Sequence, residues 1–416
     1  MLSRIDRACA PSSPRSQTVA GRTGVWVWLA RRARALAAGS VISLGLGMAQ
    51  AAPETHIVGP DGQPARLQEV LLRAADGDTI ELLPGDYGPL HLVLEDRRLT
   101  LRGLGENRPV IDGGGRMGEP RALITVRGGD VVLENLELRG ARATNTQGAG
   151  VLQQGGRLTL RGVRLRDNEN SLLALNDPEA VLIVEDSEFG MAPRVEGGLH
   201  HLLNVGRIAR LQVSGSRFQQ GFEGHLIKSR AAVTDIRHNL IHDGPRGGVS
   251  YEIELPLGGE ATIIGNVIGQ GRETQNPVVV AYGSEGSAWP RNRLVMAHNT
   301  LLNYMRLPAW FLRTWPDRLP PDTEVIAVNN LLVGGGVFSL GNRGHFEGNR
   351  HVMFRSLRDA GTYAFELAPD AGARGQGVDP RGVRGLDLSP GGEFKWPVGV
   401  EPLPPLQRWS PGAFQR

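Results

Sequence analysis

Lysine is almost missing from this chain. Of 46 basic residues only Lys228 and Lys395 are lysines; the rest are arginines. Where a positive charge suffices, the protein uses arginine, so a retained lysine invites a reason beyond charge. Cysteine is scarcer still. The single Cys9 excludes an intrachain disulfide framework, and no His/Cys cluster has zinc-ligand spacing. Aromatic residues make up 5% of the chain. The most apolar run, "ALAAGSVISLGLG", is too short and glycine-rich to span a membrane comfortably. Glycine and proline, by contrast, number 57 and 27 among 416 residues, which suits a chain that turns often and stacks small units.

That apolar run follows Arg31, Arg32 and Arg34 and precedes "MAQAA", a small-x-small cleavage site. Residues 1–51 are therefore read as a signal peptide cut near Ala51, and the protein is expected to be periplasmic or secreted, with no stable membrane insertion once the leader is gone. The leader carries seven arginines and one aspartate. Without it the chain has 39 basic and 42 acidic residues, a net charge of −3. Nucleic-acid binding loses its main support, and an acidic ligand must be met by a local basic patch. A monomer is expected.

From about residue 98 a short theme recurs, as in "LENLEL", "LRGVRL", "IRHNLI", "IIGNVI", "MAHNTL" and "AVNNLL". Its fourth residues fall at 104, 136, 163, 187, 216, 239, 266, 299, 330 and 349. Short β runs separated by Gly, Asn and Asp at such intervals imply one small rung per repeat, which buries its apolar face only by stacking on its neighbours. The fold class expected is all-β, a single-stranded right-handed parallel β-helix over 53–388, with a Pro-rich tail, 389–416, packed over the last coil. The opening "A-x-x-GDTI-x-L-x-x-G-x-Y" resembles the usual start of pectin-lyase-like β-helices, in which a short amphipathic helix, here near 66–74, caps the stack. The recurring asparagines, Asn239, Asn266, Asn299, Asn330 and Asn349, are read as corner residues that tolerate left-handed backbone and bond locally, not as a catalytic series.

Polar chemistry concentrates in two successive rungs, "GFEGHLIKSRAAVTDIRHNLIHDG" and "GGVSYEIELPLGGEATIIGNVI". His225 lies 14 residues before Asn239, and Glu252 lies 14 before Asn266, so "HLIKSR" and "YEIEL" are predicted to be neighbouring parallel strands. Strand alternation groups Lys228 with Arg230, and Glu252 with Glu254. Flanking strands add His200, His201, Tyr282 and Glu285, and the whole reads as a groove wall for an extended anionic chain. Two readings of Lys228 stand side by side. Deprotonated, it is a general base, which arginine cannot be; otherwise it is a strand residue ion-paired to Glu252 or Glu254.

"E-x-x-x-x-K-S", Glu223 to Ser229, followed by "IRHNLIHD", resembles the core of the chondroitinase-B and alginate-lyase family of calcium-dependent β-helix polysaccharide lyases. The likeness covers about 45 residues. It implies Glu223 as a calcium ligand and Lys228 as the base. The chain departs from the family where Gly221 replaces a second acidic ligand, and where "YEIEL" replaces a strand carrying an arginine. β-Elimination of a uronate needs a cation for the carboxylate, a base, and a proton donor to the leaving oxygen. Arg230, Lys228, and one of Tyr251, Tyr282 or His225 are the candidates. His201, Glu252, Glu254, Tyr282 and Glu285 are the candidate substrate-binding residues. The function expected is action on an acidic polysaccharide, as a lyase. A uronate epimerase, a β-helix glycoside hydrolase and a non-catalytic glycan-binding or adhesin scaffold are the alternatives. The hydrolase motifs "NTD", "DD", "GHG" and "RIK" do not occur.

Overall fold

The computed structural model describes residues 52–60, 64–115, 121–195 and 198–415. The leader lies outside them. Three parallel sheets, called A, B and C here, contain twelve, ten and ten strands. One rung shows how they arise: Arg157–Arg161 lies in sheet A, Arg164–Arg166 in B and Asn170–Ala174 in C, and Asp177–Glu185 returns to A. Leu158 then pairs with Leu182 of the next rung. Alternation decides which side chains enter the core: Leu158 and Leu160 are buried while Arg157 and Arg161 face water. Each buried leucine contributes about 1.5–3 kcal/mol by leaving water. The result is the right-handed parallel β-helix that the repeat predicts. The first helix, α1 (Pro64–Arg73), buries Leu67 and Leu71 in the same core, close to where the capping helix is predicted.

The recurring residues sit at the turn from sheet A to sheet B, as the spacing implies, but they do not take left-handed backbone. That conformation belongs to the residue before each asparagine: His238, Gly265, His298, Asn329 and Gly348 are all at positive φ. Asn266 and Asn330 bond locally, as expected, to the Ile264 and Val328 carbonyls, but the asparagines bond between rungs as well. Asn239 donates both its backbone N–H and its Nδ2 to Oδ1 of Asn266, each at 2.9 Å. Asn266 does the same to Asn299, Asn299 to Asn330, and Asn330 to Asn349. Ser187 and Ser216 continue the column with their hydroxyls. Stacking identical amides lets every buried donor find an acceptor one rung away.

The coil ends at Val352, earlier than the expected boundary near 388, and short antiparallel pairs follow it. The tail does not simply lie over the last coil. It runs back along the outside: Gly399 donates to the Gly215 carbonyl, and the Arg217 guanidinium stacks on Trp396. Phe365, Phe394 and Ala413 cover outward residues of sheet B such as Leu240, Val267 and Leu331. Leu388 covers Ile264, Val295 and Val328 on sheet A. These side chains are apolar on both strand faces, so burying their outer face against the tail removes it from water too. The outer face of sheet C carries the polar cluster instead.

Candidate active site

Five consecutive strands of sheet C build the site: β1 (Leu203–Val205), β2 (His225–Ser229), β3 (Tyr251–Leu255), β4 (Val278–Tyr282) and β5 (Ala309–Thr314). "HLIKSR" and "YEIEL" are neighbours, as expected, but the register differs by one residue. His225 pairs with Tyr251, and Lys228 with Glu254. Three residues join β2 to its successor in sheet A, whereas four join β3 to its own. Counting back from the corner asparagines therefore misplaces β3 by one position.

Strict alternation also fails where β3 begins: Glu252 and Ile253 are both fully buried, so Glu252 does not stand beside Glu254 on the groove wall. It points into the coil at 0% exposure, where the neighbouring strands place Leu226, Val279 and Phe311, and neither carboxyl oxygen has a hydrogen-bond partner. Burial, with Asp243 close by, raises its pKa well above the ordinary carboxylate value. Tyr282 is likewise interior, its hydroxyl donating to the Gly259 carbonyl at 2.6 Å. Neither residue reaches a ligand on the outer face, so both drop out as substrate-binding groups, and Tyr282 as a proton donor. His200 is also fully buried.

The remaining candidates do come together. Lys228 and Glu254 form an ion pair of 2.7 Å between side chains only 12% and 6% exposed, and Ser284 Oγ donates to the other Glu254 oxygen at 2.8 Å. Glu285 lies 3.6 Å from Lys228 Nζ. Arg230 donates through two nitrogens to both oxygens of Glu285, at 2.8–3.2 Å. The His201 and His225 rings stack at 4.7 Å, and Tyr251 tilts against His225 at 5.1 Å. His225 Nε2 lies 3.7 Å from Glu254.

Burial is the main cause that pushes both histidines down to about 3, helped by nearby cations. Each ring is neutral at neutral pH, so His225 is not an imidazolium acid there. His201 Nδ1 accepts the backbone N–H of His225 at 3.0 Å, which leaves the ring proton on Nε2. Tyr251 moves the other way. Burial, seconded by Glu254, raises its pKa above the ordinary phenol value, so it keeps its proton.

Glu223 sits half-buried in a left-handed turn at φ 55°, paired through its backbone with His200. A calcium ion takes six to eight oxygens. Of the companions open to Glu223, Glu252 is turned inward and Glu254 is engaged by Lys228. Among the described residues no three His, Cys, Asp or Glu side chains gather to hold a metal. The donor set does not fit the ion.

No family model matches the chain, and no curated protein matches it in sequence. Solved structures do match in shape. The pectate lyase Pel9A superposes with a TM-score of 0.59 at 12% identity, covering 88% of this chain and 98% of that one. An alginate lyase from Paenibacillus sp. str. FPU-7 gives 0.43 at 13% identity over 71% and 97% of the two chains. The PL6 family alginate lyase AlyGC gives 0.38 at 15% identity over 85% and 60%. The chain is a right-handed parallel β-helix. At these identities the likeness establishes the fold; the chemistry rests on the residues.

The β-helix also places residues at the site that the sequence reading did not single out. Ser284 fixes Glu254, and the Asn276 side chain lies close to Tyr251. Arg313 occupies the outward position of β5 in the column of Lys228 and Glu254, with Trp310 and Trp315 beside it. The only signal was the run "AWFLRTW". The corners at 299 and 330 bound its rung, but the long turns on either side concealed where the strand lies between them.

Proposed function

We propose that the protein is an exported polysaccharide lyase that cleaves an acidic polysaccharide by β-elimination, with Lys228 as base and Tyr251 as acid. The observation that carries this reading is the Lys228–Glu254 pair set beside a protonated Tyr251 on the outer face of a parallel β-helix. Pel9A, over most of whose length this chain superposes, is a pectate lyase.

The proton transfers balance. Lys228 passes a proton to Glu254 and becomes a neutral amine. The amine takes the proton next to the uronate carboxylate, whose charge Arg230 offsets by releasing one arm of its contact with Glu285. As the C–C double bond forms, the glycosidic C–O bond breaks and the leaving oxygen takes the Tyr251 proton. Glu254 then returns its proton to the phenolate. Lowering the charge that develops in the transition state is what accelerates such a step.

The ion pair also favours a second reading, a groove that binds glycans without cleaving them. Incubating the mature protein, beginning near Ala52, with a panel of acidic polysaccharides separates the two. The lyase reading expects rising ultraviolet absorbance from unsaturated uronate ends, abolished in Lys228→Ala. Binding with no such absorbance on any polysaccharide refutes it, and an epimerase likewise leaves no unsaturated ends. Export rests on the order of the leader's arginines, apolar run and "AQA", and N-terminal sequencing of the fractionated protein checks it.

A further inference from the structure

The charges of the site are unevenly matched. Lys228 and Arg230 each have a carboxylate partner. Arg313 is exposed, and among the described residues no carboxylate pairs with it. Its guanidinium lies 4.7 Å from the Trp315 ring centre and 5.8 Å from that of Trp310. The cation–π contacts hold the planar group in place while leaving its N–H edge free, and that edge matches a carboxylate with two parallel hydrogen bonds. Both indoles are partly exposed beside it, offering flat apolar surface to the C–H face of a sugar ring.

The register fixes where this group stands. Lys228, Glu254, Ala281 and Arg313 are successive partners across β2, β3, β4 and β5. Arg313 is therefore two strands beyond Glu254, roughly 10 Å along the coil axis at the usual strand spacing. We propose that Arg313, Trp310 and Trp315 form a second sugar subsite that takes an uncleaved uronate ring, so that the substrate is a polyuronate with acidic residues recurring along the chain. The proposal rests on the lyase reading and extends it. A polysaccharide carrying a carboxylate only at the cleaved residue would leave the Arg313 edge unmatched. The subsite also communicates with the acid: Arg313 is close enough to Tyr251 for its charge to oppose the burial that keeps the phenol protonated. A bound carboxylate screens that charge and helps Tyr251 keep its proton until the leaving oxygen needs it.

Binding measurements on Lys228→Ala protein test this without turnover. Tryptophan fluorescence and titration calorimetry would be run with an oligouronate and with the same oligosaccharide after its carboxyl groups are reduced to alcohols. A charged pair of this type predicts that Arg313→Gln weakens oligouronate binding roughly tenfold or more. Most of the preference over the reduced sugar should vanish with it, and Trp315→Ala should weaken both ligands. In the active protein, Arg313→Gln should raise KM more than it lowers kcat. Undiminished oligouronate binding by a normally melting Arg313→Gln protein overturns the subsite while leaving the lyase reading intact. Equal binding of the acidic and reduced sugars by the Lys228→Ala parent overturns both, because the lyase reading has Arg230 meet the carboxylate of the cleaved residue. If that parent binds no oligouronate at all, the lyase reading falls and the subsite falls with it.

Discussion

The corner between sheets A and B and the outer face of sheet C are built by the same stacking, yet they end in opposite states. At the corner, like stacks on like. Each asparagine hands its donors to the next, and the column is buried with its hydrogen bonds made. On sheet C, unlike stacks on unlike: Asn204, Lys228, Glu254, Ala281 and Arg313 follow one another along one column. Lysine and glutamate pair off, and arginine is left with only aromatic company. A repeat that satisfies itself is scaffold. A repeat broken by residues of different charge and length leaves groups able to meet something else.

The largest expected effect breaks the second column. If Lys228 is a base, Lys228→Arg should cost about as much turnover as Lys228→Ala, on the order of a hundredfold to ten-thousandfold. Arginine keeps the charge opposite Glu254 but does not give up its proton near neutral pH. Near-normal turnover by Lys228→Arg, in a protein that melts like wild type, would show that the residue only holds charge.

Breaking the first column should leave turnover per folded molecule alone and cost stability instead. Asn266→Ala removes the acceptor of two Asn239 donors and the donor to the Ile236 carbonyl, all buried. Stranding such groups should cost about 2–4 kcal/mol, read from denaturant midpoints. An unchanged midpoint would mean that water takes the amide's place.

A smaller effect concerns Glu252, the polar residue that belongs to neither column. Its pKa is raised by burial, and that of neighbouring Asp243 is pushed up to about 7, again mainly by burial. A carboxyl with a raised folded pKa binds its proton more tightly in the folded state. Folding stability then falls as pH climbs from the ordinary carboxylate range, about 4, through neutrality. Glu252→Leu, matching Leu226 on the adjacent strand, should raise the melting temperature, by about 1–2 kcal/mol in stability and most clearly at pH 8. It should also flatten the pH slope. A lower melting temperature at pH 8 would show that the buried carboxyl has a partner that stabilises it.

Much of this molecule was legible in the chain. The corner residues and the parallel stack follow from periodicity, because a rung too small to fold alone must repeat its pattern to be buried. The gathering of His201, His225, Lys228, Tyr251 and Glu254 followed from the same periodicity. Which of two neighbouring glutamates faces the groove did not. Glu252 and Glu254 are two residues apart in one strand, and ideal alternation puts them on one side. Only the bend where β3 begins, together with the extra residue in the turn after it, sends Glu252 inward and sets Glu254 against Lys228. The place of Arg313 was hidden for a related reason: its position in the column depends on turn lengths that vary from rung to rung. Residue type and repeat determine that a β-helix forms and which chemistry it carries. Register and turn length, decided only when the rungs pack, determine which side chains meet.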